Sequence, residues 1–141
     1  MSVKNNELRL VHKYFNEVII KKKLDRIDHY LSDNKFTYIS VTNSKKNGRD
    51  FFKSLLDQVF KHFPDAKSEI NELYDKDGYI VLRSTSKIND ISFGFIGTFE
   101  VEDNKIISIK VKFTDDIVEL NKINGSKELI SKYMNIINYM F

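Results

Sequence analysis

The spacing of apolar residues changes once along the chain, near residue 63. Before that point apolar side chains recur about every 3.6 residues, which is typical of amphipathic helices. Three helices are predicted, over residues 4–21, 24–31 and 51–63. Pro64 ends the third one, because proline cannot continue a helix. Between the second and third helices, the alternation from Phe36 to Val41 predicts a brief strand, and residues 43–48 are expected to form a loop.

After Pro64 the apolar residues alternate with polar ones, which is typical of half-buried strands. Four strands are predicted, over residues 67–74, 79–87, 91–102 and 106–114. Asp77-Gly78 and Asp103-Asn104 have the composition of tight hairpin turns. Two apolar rows are expected to face the core, one with Phe93, Phe95, Phe99 and Val101 and one with Ile107, Ile109, Val111 and Phe113. Helices followed by an antiparallel meander predict an α+β fold in which a strongly curved sheet wraps around the helices.

The last segment has helical spacing again, after Asn124-Gly125. A chain of 141 residues is the size of one domain. We therefore expect one domain over residues 1–125, with residues 126–141 as a C-terminal helical extension of the same domain.

Composition excludes several classes of protein. The chain has no cysteine, so it has neither a disulfide scaffold nor a thiolate nucleophile. No secretory signal and no membrane span is visible, and we expect a cytoplasmic protein. The net charge of +3 is dispersed except at Lys21–Lys23. These lysines fit the negative end of a helix dipole, the alternative being a nucleic-acid or membrane contact. We expect no nucleic-acid and no membrane partner.

Several short stretches together resemble the SnoaL-like polyketide cyclase family, within the nuclear transport factor 2-like superfamily. Residues 23–27 are similar to the start of that family's second helix, and Phe63-Pro64-Asp65 matches the signature that ends its third helix. Asp77-Gly78 resembles the turn before a central strand. Residues 99–106 are close to the family's "frvedGkI" stretch, with Asn104 in place of glycine. The likeness covers roughly residues 8–125.

This resemblance implies a cone-shaped α+β barrel that encloses an apolar pocket. It also implies a homodimer formed through the outer face of the sheet. Enzymes of the family carry out acid–base chemistry on a carbonyl-bearing ligand without a cofactor. That chemistry needs a base that takes a proton from carbon and a donor for the enolate oxygen.

The sequence departs from the family's pattern at the base. Ile109 and Val111 stand where catalytic members carry a histidine and an aspartate. Asp115 is the candidate for a displaced general base. Alternatively, Asp115 and Asp116 belong to a solvated turn and cap the segment that follows.

Two further residues are candidate catalytic groups. Arg83 would hold a ligand's carboxylate or enolate oxygen, or else pair with an acid on a neighbouring strand. Tyr38 would donate a hydrogen bond to a ligand oxygen, or else pack in the core. Tyr14 on the first helix has the same two interpretations. The three histidines lack partners at metal-ligand spacing, so neither a metal nor a cofactor is expected.

The expected function is binding of a small apolar or carbonyl-bearing ligand. If the protein is an enzyme, the chemistry is that of an isomerase, a cyclase or a dehydratase that needs no cofactor. In that scheme Asp115 moves the proton, while Tyr38 and Arg83 hold the oxygen. The alternative is a non-catalytic dimerisation or protein-interaction module with the same fold.

Overall fold

The computed structural model describes residues 3–39, 45–88 and 91–114. The helical elements are α1 (Val3–Tyr14), a π-helical segment (Phe15–Ile20), a 3₁₀ helix (Leu24–His29) and α2 (Arg49–His62). The strands are β1 (Thr37–Ile39), β2 (Lys45–Asn47), β3 (Lys67–Lys76), β4 (Tyr79–Ile88), β5 (Ile91–Glu102) and β6 (Lys105–Phe113). Asp115, Asp116 and the predicted helix over 126–141 lie outside the described residues.

The strands form one sheet in the order β2-β1-β6-β5-β4-β3. Neighbouring strands are antiparallel, except that β1 runs parallel to β6. The sheet curls around the helices without closing on itself. The predicted α+β class with helices packed against a mostly antiparallel sheet is therefore confirmed.

Both predicted hairpin turns are present. Asp77 and Gly78 have φ angles of 54° and 88°, and Asp103 and Asn104 have 52° and 60°. Two consecutive positive φ angles define the type I′ turn, whose twist matches that of the flanking strands. Asn104 therefore takes a left-handed conformation that glycine adopts readily, and the tight turn forms without glycine.

Two details of the sheet differ from the prediction. Residues 45–47 form an edge strand, although they lie in a predicted loop and carry only polar side chains. Backbone pairing with β1 holds them, so the side-chain pattern carries no signal. In β6 a bulge leaves Ile107 between two paired residues, because Glu100 faces Ser108 while Val101 faces Ile106. Ile106 is consequently fully buried and Ile107 only half-buried, which corrects the predicted row.

The core lies between the helices and the concave face of the sheet. Val11 and Val18 of the first helical stretch, which is α1 followed by the π-helical segment, are fully buried there, as are Ile27, Leu82 and Ile106. Salt bridges near the protein surface also connect the 3₁₀ helix to the neighbouring helical segments. Arg26 Nε lies 3.0 Å from Glu17 Oε2, and Arg49 Nε lies 3.2 Å from Asp28 Oδ1.

Candidate functional site

A cavity of about 160 Å³ lies between α2, the end of the first helical stretch and the concave face of the sheet, and it is partly open to solvent. An engineered apolar cavity of roughly 150 Å³ is large enough for benzene. Most of the described lining of the cavity in this protein is aromatic or aliphatic. The polar residues of that lining are Tyr14, Lys22, Tyr38, Ser68, Ser84 and Ser86.

Two tyrosines share one end of the cavity. Tyr38 of β1 stands in register with Ile109 of β6, which in turn faces Phe99 of β5. Tyr14, at the end of α1, meets the Phe99 ring edge-on, with centroids 5.9 Å apart. The Tyr38 ring lies 4.8 Å from the ring of Phe52. Both phenols are therefore held by aromatic packing, with 2% and 7% of Tyr14 and Tyr38 exposed.

The environment keeps the Tyr14 phenol neutral. Burial is the main cause that raises the pKa of Tyr14 well above its ordinary value, and the neighbouring Tyr38 adds to the effect. Desolvation acts in this direction because it penalises the charged phenolate. A neutral phenol is an O–H donor throughout the physiological pH range. The tyrosine end of the cavity can thus donate to an oxygen of a guest molecule.

Three serines form a second polar region, on β3 and β4. Ser68 Oγ and Ser86 Oγ are 2.8 Å apart, and Ser84 is 6% exposed. Ser84 is four residues along β4 from Ile80, which faces Phe99. Four residues of a strand span about 13 Å. The serine hydroxyls and the tyrosine phenols therefore lie toward different ends of an apolar cavity.

Lys22 lies beside the cavity where the first helical stretch ends. Its φ angle of 57° turns the chain out of the helix. Its ammonium Nζ donates a 2.6 Å hydrogen bond to the backbone oxygen of Pro64, in the loop between α2 and β3. The same loop leads to Ala66 and Ser68, which also line the cavity. Lys22 therefore lies toward the serine end.

Three residues were predicted to act on a ligand, namely Tyr38, Arg83 and Asp115, and they differ in their position relative to the cavity. Tyr38 lines the cavity, together with Ile109 and Val111, the two apolar residues that the sequence resemblance aligns with the family's acid–base positions. Arg83 lies between Leu82 and Ser84, whose side chains line the cavity, so strand alternation places it on the opposite face of the sheet. A direct role for Arg83 in the cavity stays a prediction that this placement does not support. Asp115 lies outside the described residues.

Sequence reasoning missed the serines and Lys22. Leu82, Ser84 and Ser86 share one side of a regular strand, so alternation groups the two serines with Leu82, but it does not say that this side faces the core. Lys22 was interpreted as part of a helix-end cluster, and its neighbour Lys21 is indeed exposed. The contact with Pro64, 42 residues away, is not visible in local sequence.

Acidic and metal-binding groups are scarce near the cavity. No Asp, Glu or His belongs to the lining within the described ranges. In the same residues, no group of three or more His, Asp and Glu side chains is arranged to hold a metal ion. The described lining therefore supplies neutral donors and one ammonium.

Among the helices of the described residues, none is both long and apolar enough to cross a bilayer.

This arrangement of helices and a curled sheet recurs in known structures. A SnoaL-like candidate polyketide cyclase from Jannaschia sp. CCS1 superposes with a TM-score of 0.69 at 12% identity, covering 82% of this chain and 90% of that one. This chain has the fold of the SnoaL-like proteins. The prediction made from residues 23–27, 63–65, 77–78 and 99–106 is thus confirmed at the level of the fold.

Other structures with this SnoaL-like fold carry different names. A candidate ketosteroid isomerase from Kribbella flavida superposes with a TM-score of 0.67 at 14% identity, covering 78% of each chain. An LEH-like epoxide hydrolase from M. tuberculosis gives 0.63 at 20% identity, covering 82% of this chain and 88% of that one. No protein-family model and no curated protein matches the sequence. These likenesses establish the architecture, and the function has to be argued from the cavity itself.

Proposed function

We propose that the protein binds a small apolar molecule that carries a carbonyl group, with the carbonyl oxygen at the Tyr14–Tyr38 end of the cavity. The observation that carries this proposal is the pair of buried phenols in a lining that is otherwise largely apolar. An apolar wall gains free energy by removing a hydrocarbon surface from water, at about 25 cal/mol per Å². A few polar groups in such a wall fix the orientation of the ligand.

The phenols suit a carbonyl oxygen. Tyr14 is a neutral phenol at neutral pH, and burial and Tyr38 raise its pKa further, so its O–H can donate to a ligand oxygen. A donor aimed at a carbonyl oxygen polarises the C=O bond, and it binds the enolate more strongly than the ketone. Tyr14 and Tyr38 would therefore provide the oxygen-binding half of a proton-transfer site. As the base of that site we propose Asp115, which follows β6 in the sequence and would replace the base that the family's pattern has on that strand.

Acetophenone is a suitable probe, since its single ring matches a cavity of about 160 Å³. Binding is followed by NMR titration, and the C=O stretching band by infrared difference spectroscopy. We expect acetophenone to bind more tightly than ethylbenzene, and its C=O band to move to lower wavenumber on binding. Tyr14→Phe and Tyr38→Phe should each reduce that movement while leaving ethylbenzene affinity within about twofold, because only a donor is lost.

Tyr74→Phe is the matched control, because Tyr74 is 37% exposed and lies outside the cavity lining. It should behave as the unmodified protein. Equal binding of acetophenone and ethylbenzene, with an unmoved C=O band, would refute the proposed carbonyl site.

A further inference from the structure

The cavity has a cationic group at the end opposite its phenols. Among the described lining residues Lys22 carries the only charge, and no described acid lines the cavity to neutralise it. A guest that brings a negative charge to this end would therefore meet an ammonium that no acid of the described lining neutralises, and a guest without one would leave the ammonium to solvent. A cation at one end of the cavity and neutral phenols at the other favour a ligand that carries an anionic group at the Lys22 end.

The Lys22 ammonium is already held close to the position that the ligand's anionic group would occupy. An ammonium has three N–H donors, and the bond to the Pro64 oxygen uses one of them. That bond fixes the nitrogen between the first helical stretch and the loop before β3. No second bond of this ammonium to the described residues is seen, which leaves two donors on that side for the two oxygens of a carboxylate, so binding requires little further ordering of the lysine side chain.

Serine hydroxyls add donors on the same side. Ser68 follows the loop that contains Pro64, and its Oγ is 2.8 Å from Ser86 Oγ. When one hydroxyl of this pair donates to the other, the second hydroxyl's hydrogen is available to another acceptor. Carboxylate oxygens accept several hydrogen bonds at once, which an ester or a ketone oxygen does less well.

We propose that the cavity takes an amphipathic carboxylate, with its apolar body between α2 and the sheet and its carboxylate at Lys22 and the serines. This inference rests on the proposed function and specifies the class of its ligand. The carboxylate and the carbonyl of such a ligand would lie toward opposite ends of the cavity.

The test compares 3-phenylpropanoate with 3-phenylpropanamide, which have the same size and differ in charge. Dissociation constants are measured by NMR titration at low ionic strength. We expect the carboxylate to bind about fivefold more tightly than the amide, a preference that a partly exposed ion pair can supply. Lys22→Met should abolish the preference by weakening carboxylate binding alone, and Lys22→Arg should retain it.

Lys21→Met is the matched control, because Lys21 is adjacent, exposed and outside the cavity lining. It removes the same charge and should keep the preference. Methionine and lysine are both unbranched at Cβ, so Lys22→Met adds no new strain at the positive φ angle. Circular dichroism confirms that each variant is folded.

The outcomes separate the two proposals. If neither probe binds although acetophenone does, this inference fails and the carbonyl site stands; if acetophenone does not bind either, the proposed function fails with it. If both probes bind equally, or if Lys22→Met keeps the preference for the carboxylate, the cavity binds ligands but the anionic end is wrongly assigned.

Discussion

The ring of Phe99 leans over Gly97, so that a Cβ added to Gly97 would lie 3.0 Å from Phe99 Cε1. Both residues line the cavity from β5, and Phe99 is in turn packed against Tyr14. The missing side chain thus allows the ring to occupy the position that helps to hold a candidate donor. Glycine at this position is a packing requirement of the cavity wall.

Gly97→Ala should therefore destabilise the protein by about 1–3 kcal/mol, as overpacking of a core does. This cost outweighs the roughly 0.5–1 kcal/mol that alanine ordinarily gains over glycine in a strand. Urea unfolding measures the difference. Phe99→Leu removes the opposing ring atom, so the penalty of Gly97→Ala should be smaller in that background. A penalty that is the same in both backgrounds would contradict the contact as its cause.

Local patterns were sufficient for much of this fold. The two hairpin turns could be predicted because Asp-Gly and Asp-Asn tolerate positive φ angles that other pairs resist. The helices could be predicted because each buries one stripe. The parallel pairing of β1 with β6 could not, since it joins Tyr38 to Ile109 across 71 residues and no local period encodes it.

The candidate site was harder to predict than the fold. Tyr38 was identified with two possible roles, and its place in the cavity depends on the β1–β6 pairing. A single strand pattern does not say which of its faces is inner, so Arg83 and Ser84 could not be distinguished by spacing alone. Neighbouring apolar residues do not decide between them, because Val81 alternates in phase with Arg83 as Leu82 does with Ser84, and Val81 and Leu82 are both buried.

The alternation of β4 leads to a prediction about the adjacent residues Arg83 and Ser84. Ser84→Leu should weaken acetophenone binding about tenfold or more, because the larger side chain fills cavity space. Arg83→Met should change the dissociation constant by less than about twofold, since Arg83 lies on the other face. NMR titration of both variants measures this. A large loss of affinity in Arg83→Met would instead support the role predicted for Arg83 from the sequence.

Alkaline pH should destabilise the protein through Tyr14. Its pKa is raised in the folded state, so the folded protein keeps this proton after the unfolded chain has lost its own. Stability is therefore unaffected by Tyr14 below the ordinary phenol pKa of about 10 and falls above it, by up to about 1.4 kcal/mol per pH unit. Urea unfolding between pH 9 and 11 should show a shallower decline in Tyr14→Phe. Tyr74→Phe should retain the full decline, and identical slopes in Tyr14→Phe and the unmodified protein would refute the assignment.

The homodimer implied by the sequence resemblance can be tested on the outer face of the sheet. Ile96 is half-buried there and faces Arg83 on β4 and Lys112 on β6. A glutamate at this position would have two cations beside it, so Ile96→Glu should fold as a monomer yet disfavour burial against a second copy. Light scattering after size-exclusion chromatography should give a dimer for the unmodified protein and a monomer for Ile96→Glu. An unchanged mass would exclude this face as the interface.

The absence of a family-type base on β6 leads to a gain-of-function prediction. Val111 lines the cavity and is half-buried, so Val111→Asp would place a carboxyl group among apolar side chains. Such surroundings raise a carboxyl pKa toward neutrality, which suits a general base. We expect Val111→Asp to accelerate deuterium exchange at the methyl group of acetophenone by about tenfold or more, as followed by proton NMR.

Two further variants show whether that acceleration uses the proposed site. Lys112→Asp places the same carboxyl group one residue further along β6, where the register pairs it with Ile96 on the outer face, and it should give no acceleration. Tyr14→Phe added to Val111→Asp should reduce the gain, because the enolate oxygen loses a donor. Equal acceleration by Val111→Asp and Lys112→Asp would mean that the exchange occurs outside the cavity, since only one of the two carboxyl groups could reach a ketone held between α2 and the sheet.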